Sequence, residues 1–462
     1  MLSVSGCRGL VGRSLTPEVV CRFVGAYAAF VKQQHRTDAP TLVLARDGRQ
    51  GGHAIHQIAA GALLASGCRV IDLGVATTPT AGVVVLHRRA HGGIVLTASH
   101  NPAEWNGLKP ISAQGGAPHA DHAKEVIERF RAGDSALVGH DRAGRLEHDP
   151  AAADLHARRV LEALDAITDL DAIRRRRFHV VLDSVNASGR LAGRALLDQL
   201  HCRVVHLNSD DSGIFPHIPE PIAENLTDLC AAVKEHKAQA GFAQDPDADR
   251  LALIDENARF IGEEYTLALG ALSLFSAPGA PSHGVIAANL STSRMVDDIA
   301  ARFGARVVRT AVGEANVVAG MREAGTPIGG EGNGGVIWST VVPIRDSLVS
   351  MGLTLDLMAR TGKSLSELVT EIPAYAIEKR KLTLTDQSFI PRAIKAVGAA
   401  FAGARIDTQD GIRADLDLPG GGAGWIHARP SNTEPIFRLI AEAPTRQQAV
   451  ELLDTAQRAI TA

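Results

Sequence analysis

Short runs of apolar, mostly β-branched residues alternate with longer stretches rich in alanine and leucine along most of the chain. Three such runs are TLVLARD (41–47), RVIDLGV (69–75) and GGIVLTAS (92–99), and the helical stretch QIAAGALLASG (57–67) separates the first two. Continuous apolar runs are typical of parallel strands covered on both faces, and the stretches between them supply the crossover helices. The pattern therefore predicts an α/β fold.

A weak internal repeat predicts several domains of similar construction. LVLARDGRQGG (42–52), VVLDSVNASGR (180–190) and VIAANLSTSR (285–294) each run from a strand through a polar turn into a helix. The 462 residues are too many for one hydrophobic core and suit domains of about 100 to 150 residues. A charged, Gly-containing stretch at 131–149 and a change of character near residue 370 indicate two of the boundaries, and we predict domains at residues 1–142, 143–252, 253–369 and 370–462.

Charge and cysteine content narrow the class of protein. The formal net charge is −3 and acids and bases are mixed along the chain, so nothing favours binding to nucleic acid or an anionic membrane. The N-terminus lacks the pattern of a signal peptide, and no uncharged run reaches the roughly 18 residues of a membrane span, so we expect a cytoplasmic protein. Five cysteines without CxxC spacing are expected to be free thiols, and Cys7 to be a small buried residue in a Gly-rich loop.

Three aspartates alternate in one loop between two apolar strands. Asp245, Asp247 and Asp249 lie in GFAQDPDADRLALID (241–255). Carboxylates this close repel one another unless a cation neutralises them, and oxygen ligands select Mg²⁺ or Ca²⁺ over soft metals. The loop therefore predicts a site for Mg²⁺ or Ca²⁺, and an octahedral Mg²⁺ would need waters or a phosphate oxygen to complete its coordination shell.

A serine follows the third apolar run directly. In TASHNPAEWNGLKP (97–110), Ser99 can be a nucleophile, a carrier of phosphate or a polar residue in a turn. His100 adjoins it in sequence and cannot easily reach the serine hydroxyl as a triad histidine does, which argues against a Ser-His hydrolase. Lys109 adds a candidate acid/base or phosphate-neutralising cation.

Three further loops have side chains suited to phosphate or sugar. ARPSNTEP (428–435) brings an arginine fork, hydroxyls and backbone N–H groups together, as a phosphate dianion requires. GGEGNGG (329–335) permits close backbone approach and offers a carboxylate and an amide to sugar hydroxyls. SGCRGLVG (5–12) is Gly-rich around Arg8 but fits neither a P-loop nor a GxGxxG fingerprint.

In order and character these loops resemble those of the α-D-phosphohexomutases, which include the phosphomannomutases, phosphoglucomutases and phosphoglucosamine mutases. SGCRG is similar to the N-terminal arginine loop of that family, TASHNP to its phosphoserine loop, DPDADR to its metal loop, GEGNGG to its sugar loop and RPSNTEP to its C-terminal phosphate loop. The resemblance spans nearly the whole chain. It implies four domains around a central cleft, the first three of similar mixed α/β topology and the fourth a smaller α+β domain.

The resemblance also implies the chemistry. Ser99 would carry a phosphoryl group and exchange it between O6 and O1 of a hexose phosphate, through a hexose 1,6-bisphosphate that also serves as activator. Mg²⁺ would bind Ser99 together with the three aspartates. The implied catalytic residues are Ser99, Lys109, Arg8, His100 and Arg250. The implied substrate-binding residues are Glu331, Asn333, Gly313, Glu314, Arg429, Ser431, Asn432 and Thr433.

The preferred sugar and the assembly state remain open at this point. Members that act on mannose and glucose phosphates often have Ser and His late in the sugar loop, where this chain has Asn333 and Gly335. A histidine of some members in the third-domain loop is replaced by Glu314, whose carboxylate suits the ammonium of glucosamine phosphate. We therefore expect a phosphoglucosamine mutase, with a phosphomannomutase or phosphoglucomutase as the alternative. Monomer and homodimer both stay possible.

Two other classes of protein share some of these features. A Mg²⁺-dependent sugar phosphatase would also use Ser99 and the aspartates, but it has no need of a separate RPSNTEP anchor. A non-catalytic sugar-phosphate sensor would be expected to have lost Ser99, Lys109 or an aspartate, and all of these are present.

Overall fold

The structure, a computed structural model, describes residues 2–3, 5–279, 284–383, 389–418, 421–431 and 436–461. Its first domain has a mixed sheet with the strand order β1-β2-β6-β5-β3-β4-β7. The elements are β1 (Leu2–Ser3), β2 (Gly6–Leu10), α1 (Pro17–His35), β3 (Thr41–Arg46), α2 (Gly52–Ala65), β4 (Arg69–Val75), α3 (Thr78–His87), β5 (Gly92–Leu96), β6 (Trp105–Ser112), α4 (Ala120–Ala132), a 3₁₀ turn (His140–Arg142) and β7 (Arg145–His148).

Strand β7 pairs in parallel with β4. The sheet of the first domain thus continues past residue 142, into a segment that composition assigns to the second domain. The boundary positions stay predictions.

The second domain has the strand order β11-β10-β8-β9, and the third has β13-β12-β14-β15. The elements of the second are α5 (Ala152–Asp165), α6 (Leu170–Arg176), β8 (His179–Asp183), α7 (Gly189–Gln199), β9 (Arg203–Leu207), a 3₁₀ turn (Ala223–Asn225), α8 (Thr227–His236), β10 (Ala240–Gln244) and β11 (Leu251–Asp255). Those of the third are α9 (Glu263–Ser276), β12 (Val285–Asn289), α10 (Met295–Arg302), β13 (Arg306–Thr310), α11 (Glu314–Ala324), β14 (Ile328–Glu331), β15 (Gly335–Trp338), α12 (Ser347–Thr361) and α13 (Leu365–Thr370).

One topology recurs in the first three domains. In each, a central strand (β3, β8 or β12) pairs in parallel with the next two strands of the chain, one on each side. The later of these two strands in the chain then forms an antiparallel hairpin with the strand that follows it. The three hairpins are β5–β6, β10–β11 and β14–β15. The three repeated segments of the sequence contain the three central strands, so the repeat has a direct structural cause, and the α/β prediction is confirmed.

The fourth domain is smaller and entirely antiparallel in its sheet. Its strand order is β16-β20-β19-β18-β17. The elements are β16 (Ala376–Thr383), α14 (Phe389–Ala400), β17 (Arg405–Asp407), β18 (Ile412–Asp417), β19 (Ala423–Pro430), β20 (Ile436–Ala443) and α15 (Arg446–Thr461). The two helices share a core with the sheet that is separate from the other cores, which is the α+β domain that the sequence predicted.

Local signals explain where several helices begin. Thr16 caps α1 by accepting a hydrogen bond from the Val19 N–H, and a proline follows at the first helical position. Asp346 caps α12 through the Leu348 N–H, and Ser364 and Glu367 form a capping box at α13. Among the described helices, none combines the length and apolar character that crossing a bilayer would need.

One large core joins the first three domains. It includes buried residues of α3, α5, α7, α9 and α12 together with strands of all three sheets. A buried polar chain crosses the same junction: Thr80 Oγ1 lies 2.9 Å from Nδ1 of His156, whose Nε2 lies 2.7 Å from Oδ2 of Asp346. These residues come from the first, second and third domains in turn, so packing and hydrogen bonding fix the three sheets relative to one another.

Candidate active site

The cleft is built from the same hairpin loop of the three repeated domains. The β5–β6 loop carries Ser99, the β10–β11 loop carries the three aspartates, and the β14–β15 loop carries Asn333. Because the topology repeats, the three loops leave their sheets at equivalent edges. Contacts between Ser99 and Asp245, and from Arg345 to both Asp249 and Asn333, bring the loops together.

Ser99 faces the aspartate loop from a left-handed backbone conformation. Its φ is +51°, which is uncommon for a residue other than glycine. The side chain is buried, and its hydroxyl donates a hydrogen bond to Oδ2 of Asp245 at 3.0 Å. The predicted serine and the predicted metal loop are therefore in direct contact across two domains.

His100 lies beside the serine but is not a base near neutral pH. Its Nδ1 is 3.3 Å from Oγ of Ser99. The positive charge of Arg250, burial and the charge of Arg8 together lower the pKa of His100 to about 2. The imidazole is thus neutral at physiological pH, and it can offer the serine a hydrogen bond but no charge.

The three aspartates form a buried acidic cluster. Asp245, Asp247 and Asp249 are fully buried, and one oxygen of each lies within 4.8 Å of the others. Among the described residues, Oδ1 of Asp247 and Oδ1 of Asp249 have no hydrogen-bond partner. Burial, with the charges of Asp247 and Asp249, raises the pKa of Asp245 well above its usual value. Buried carboxylate oxygens without partners are what a hard divalent cation such as Mg²⁺ would bind, so the residues fit that ion.

Lys109 on β6 reaches the same cluster from the first domain. Its Nζ lies 2.9 Å from Oδ2 of Asp249 and 3.2 Å from Oδ2 of Asp247. Burial alone would lower the pKa of Lys109, but the charges of Asp249 and Asp247 outweigh it and raise this pKa above its usual value. The ammonium group is therefore charged and holds its protons beside the two aspartates.

Two further arginines predicted from the sequence border the serine loop. Arg8 on β2 donates a hydrogen bond to Oδ1 of Asn101 at 3.4 Å. The backbone N–H of Arg250 donates to Oδ1 of Asp245 at 3.2 Å, and its Nε is 3.9 Å from Oδ1 of Asp249. Both guanidinium groups place positive charge where a phosphoryl group on Ser99 would need it.

Arg345, directly before α12, links the metal loop to the sugar loop. Its Nη2 donates to Oδ2 of Asp249 and its Nη1 to Oε2 of Glu331, both at 2.6 Å. The backbone N–H and Nε of the same arginine donate to Oε2 of Glu314 at 3.1 and 3.2 Å. Nη1 also lies 3.5 Å from Oδ1 of Asn333. One cation thus joins three carboxylates and both predicted sugar-binding segments.

Glu331 and the Gly313 loop are held to each other. The Gly313 N–H donates to Oε1 of Glu331 at 3.1 Å, and Asn289 Nδ2 donates to the same oxygen at 2.7 Å. Burial raises the pKa of Glu314, the next residue, although Lys109 and Arg345 oppose the effect.

The fourth domain supplies Arg429 and Ser431 at the end of β19. Arg429 is buried, and its Nη2 has no hydrogen-bond partner within the described part of the chain. The Ser431 N–H donates a hydrogen bond to the carbonyl of Ile436 at 2.9 Å, which joins the end of β19 to the start of β20. Asn432 and Thr433, also predicted for this loop, lie outside the described residues.

Comparison with known proteins agrees with this arrangement. Models of the phosphoglucomutase/phosphomannomutase α/β/α domains I, II and III match residues 2–137, 158–260 and 263–375, and the model of the C-terminal domain matches residues 380–458. The chain belongs to the phosphoglucomutase/phosphomannomutase family. It is therefore an enzyme of the phosphohexomutase class, an isomerase that relocates a phosphoryl group within its substrate.

Similar proteins carry names from more than one branch of this family. A phosphoglucomutase/phosphomannomutase of Thermococcus kodakarensis is 37% identical, over 97% of this chain and 96% of its own. A probable phosphoglucosamine mutase of Methanopyrus kandleri is 34% identical, over 97% and 95%. The crystal structure of a phosphoglucomutase/phosphomannomutase family protein from Burkholderia thailandensis superposes with a TM-score of 0.84 at 28% identity, covering 100% of this chain and 98% of its own.

The phosphohexomutase also contains a buried arginine behind Ser99 that sequence reasoning missed. Arg49, in the loop after β3, donates to the carbonyls of Ser99 at 2.5 Å and Trp105 at 2.6 Å, with longer contacts to those of Asn101 and Pro102. Its Nε pairs with Oδ2 of Asp47 at 2.8 Å. A single guanidinium thus holds both ends of the serine loop.

The second domain supports this arginine from behind. The Arg49 guanidinium lies 5.4 Å from the ring centre of Phe215, and the Gln50 N–H donates to the Gly213 carbonyl at 2.9 Å. The sequence signal was RDGRQGG, an Asp and Arg two residues apart after a strand. Nothing local in that signal indicates which carbonyls the arginine would reach.

Replacing Arg49 with Lys tests its role in holding the serine loop. An ammonium lacks the planar fork with which Arg49 binds carbonyls at both ends of the loop and Asp47 at once, and displacement of a reacting group by about 1 Å can cost about a hundredfold in rate. We expect kcat to fall by about that factor, measured by steady-state isomerase assay.

Arg22→Lys is the matched control for the Arg49 variant. Arg22 also donates to two backbone carbonyls, those of Phe130 and Arg131, on the outer surface of the first domain. The Arg22→Lys variant should leave kcat unchanged. An Arg49→Lys enzyme with kcat within about threefold of wild type would show that the loop holds its shape without the guanidinium fork.

Proposed function

We propose that Ser99 carries the phosphoryl group that this enzyme exchanges with a hexose phosphate. The observation that supports this most directly is its buried hydroxyl, 3.0 Å from Asp245 and next to two buried aspartate oxygens without partners among the described residues. In the forward half-reaction the bond from phosphorus to Ser99 Oγ breaks, and a bond to the free sugar hydroxyl forms. The second half-reaction returns the other phosphoryl group of the bisphosphate to Ser99.

Asp245, Asp247 and Asp249 would hold Mg²⁺, with a phosphoryl oxygen on Ser99 as a further ligand. The bound ion would offset the negative charge on the phosphoryl group during transfer. The buried oxygens of Asp247 and Asp249 support this assignment. Arg8 and Arg250 add positive charge on the other side of the serine loop.

Lys109 is the proposed general acid/base. Its Nζ contacts Asp247 and Asp249, and the charges of these aspartates raise its pKa and keep a proton on Nζ. The departing oxygen would take this proton, and the amine so formed would take a proton from the hydroxyl that attacks phosphorus. His100, neutral beside Ser99, would help to orient the serine oxygen.

Arg429 and Ser431, with Asn432 and Thr433 as further members, would hold the phosphate that is not reacting. Glu331, Asn333 and the Gly313–Glu314 segment would contact the sugar hydroxyls. The bisphosphate has to turn end for end between the half-reactions, so this anchor accepts the phosphate of either end. The unpartnered Nη2 of Arg429 within the described chain supports its role as a phosphate ligand.

The proposed substrate is glucosamine phosphate, converted between the 6- and 1-phosphates. Arg345 is one cation between the two carboxylates of the proposed sugar-binding segments, Glu314 and Glu331. The sugar side of the cleft therefore keeps negative charge, which favours an ammonium at C2. The similarity to the M. kandleri protein named as a probable phosphoglucosamine mutase agrees with this choice.

Glucose or mannose phosphate is the second candidate. Both hydrogen bonds that Arg345 donates to Glu314 end on Oε2, so that this carboxylate is partly neutralised and its Oε1 suits a sugar hydroxyl equally well. The T. kodakarensis protein, named for both phosphoglucomutase and phosphomannomutase activity, agrees with this alternative.

The decisive experiment compares three substrates with wild type and Ser99→Ala. Glucosamine 6-phosphate, mannose 1-phosphate and glucose 1-phosphate are each supplied with Mg²⁺ and a trace of the matching 1,6-bisphosphate. We expect isomerisation that depends on the bisphosphate and is lost in Ser99→Ala. Release of inorganic phosphate as the main product would mean a phosphatase, and no conversion of any of the three would reject the proposed activity.

Removing the metal should abolish turnover and lower thermal stability. Without a cation the buried aspartates repel one another, so Mg²⁺ should raise the midpoint of thermal unfolding, and Asp247→Asn should reduce that rise. Calorimetry with and without a chelator measures both effects. Asp255→Asn is the control, because Asp255 is a buried aspartate of the adjoining strand that pairs with Arg259. An equal Mg²⁺ effect in both variants would exclude Asp247 as a ligand.

Glu314→Gln separates the two candidate substrates. If the carboxylate attracts the ammonium of glucosamine phosphate, its loss should lower kcat/KM for that sugar about tenfold, which corresponds to one charge-assisted hydrogen bond. The kcat/KM for glucose 1-phosphate should change less. An equal loss for both sugars would argue for hydroxyl recognition and against a role in choosing the ammonium.

A further inference from the structure

Asp410, in the turn before β18 of the fourth domain, contacts two other parts of the proposed site. Its Oδ2 accepts a hydrogen bond from Nε of Arg429 at 2.7 Å and another from the Val312 N–H at 3.1 Å. Arg429 belongs to the fourth domain, whereas Val312 belongs to the third-domain loop that precedes Gly313 and Glu314. A single carboxylate oxygen therefore connects the two domains.

The hydrogen bond from Arg429 to Asp410 does not use Nη2 of the guanidinium. Asp410 binds the Nε edge of the guanidinium, and Nη2 has no partner in the described part of the molecule. Because the guanidinium is planar, fixing Nε fixes the direction in which the Nη atoms point. A phosphate would then meet donors whose orientation is already set.

The turn itself is held close to Arg429 by its own backbone. The Asp410 carbonyl accepts a hydrogen bond from Nε2 of His427 at 2.7 Å, while Nδ1 of His427 lies 2.8 Å from Oγ of Ser291 in the third domain. Gly411 follows with φ +74°, and a β-carbon there would lie 2.3 Å from the Ala428 carbonyl oxygen. The turn that places the side chain of Asp410 against Arg429 therefore requires glycine at position 411.

From Val312 a chain of hydrogen bonds continues to the metal loop. The next N–H, that of Gly313, binds Oε1 of Glu331, whose Oε2 accepts from Arg345, which in turn binds Asp249. Each link is a direct hydrogen bond of 3.1 Å or less. The phosphate anchor and the acidic cluster are therefore joined through Asp410 and the third domain.

We propose that Asp410 is a positioning residue, which aims Arg429 at the non-reacting phosphate and holds the fourth domain against the Val312–Gly313 loop. The inference rests on the proposed role of Arg429 as a phosphate ligand. Asp410 does not touch the substrate. Because Asp410 fixes the orientation of Arg429 before the phosphate binds, less entropy is lost on binding. Asp410 should therefore affect KM more than the rate of phosphoryl transfer at Ser99.

The test compares Asp410→Asn and Asp410→Ala with wild type in steady-state assays on glucosamine 6-phosphate and glucose 1-phosphate. Asn keeps an oxygen that can accept both hydrogen bonds but loses the charge, so KM should rise about tenfold. Ala removes both bonds and should raise KM further. In both variants kcat at saturation should stay within about threefold of wild type.

Asp407→Asn is the matched control. Asp407 lies three residues earlier, at the end of β17, and its side chain accepts hydrogen bonds only from Gln409 among the described residues, from the backbone N–H and from Nε2. This variant should leave KM and kcat unchanged. The rise in unfolding midpoint on adding the sugar phosphate provides a second measurement, because it compares folded protein with and without ligand whatever the stability of the variant. That rise should shrink for Asp410→Asn and not for Asp407→Asn.

Arg429→Gln distinguishes failure of this inference from failure of the proposed anchor. If Arg429→Gln raises KM but Asp410→Asn does not, Asp410 has no positioning role. If Arg429→Gln leaves KM unchanged while wild type isomerises its substrate, the anchor is wrong and the inference falls with it. We expect the double variant to be no worse than Arg429→Gln alone, because Asp410 acts through Arg429. Fully additive effects would overturn the inference.

Discussion

Three aspartates that are buried side by side are the constraint around which the cleft is organised. Such a cluster is unfavourable by itself, since each charge has lost water and faces two like charges. The protein opposes this cost with cations from other domains: Lys109 comes from the first and Arg345 from the third. Ion pairs with the acidic cluster therefore hold Lys109 and Arg345 in the cleft, and the Ser99 hydroxyl donates a hydrogen bond to Asp245.

The cores determine which parts of that site are fixed. The first three domains share one extended core and the buried Thr80–His156–Asp346 chain, so their three loops have a rigid common support. The fourth domain has its own core. Among its contacts with the third domain are three polar ones: Arg413 to the Leu290 carbonyl, Ser291 to His427 and Asp410 to Val312. A domain joined in this way can change position at lower cost than the other three.

Much of the fold and of the site's chemistry could be inferred from the sequence, because the signals were local. Alternating runs predicted the α/β class, the repeated segments marked the central strands, and the spacing of the aspartates predicted an acidic cluster. Arg49, Arg345 and Asp410 could not be found in that way. Arg345 meets Asp249 across 96 positions of the chain and Asp410 meets Val312 across 98, and an arginine or aspartate in a loop is ordinary until its distant partner is known.

The shared topology of the first three domains also bears on how such a site can arise. Serine, aspartates and sugar-loop residues occupy the same hairpin connection of three copies of one unit. Duplication of a single ancestral module would place three equivalent loops around one cleft before any of them had acquired a specific function. Each loop could then diverge separately, because the strands that support it carry the stability and the connection carries the chemistry. The different roles of the three loops thus follow from the repeated topology of the domains that carry them.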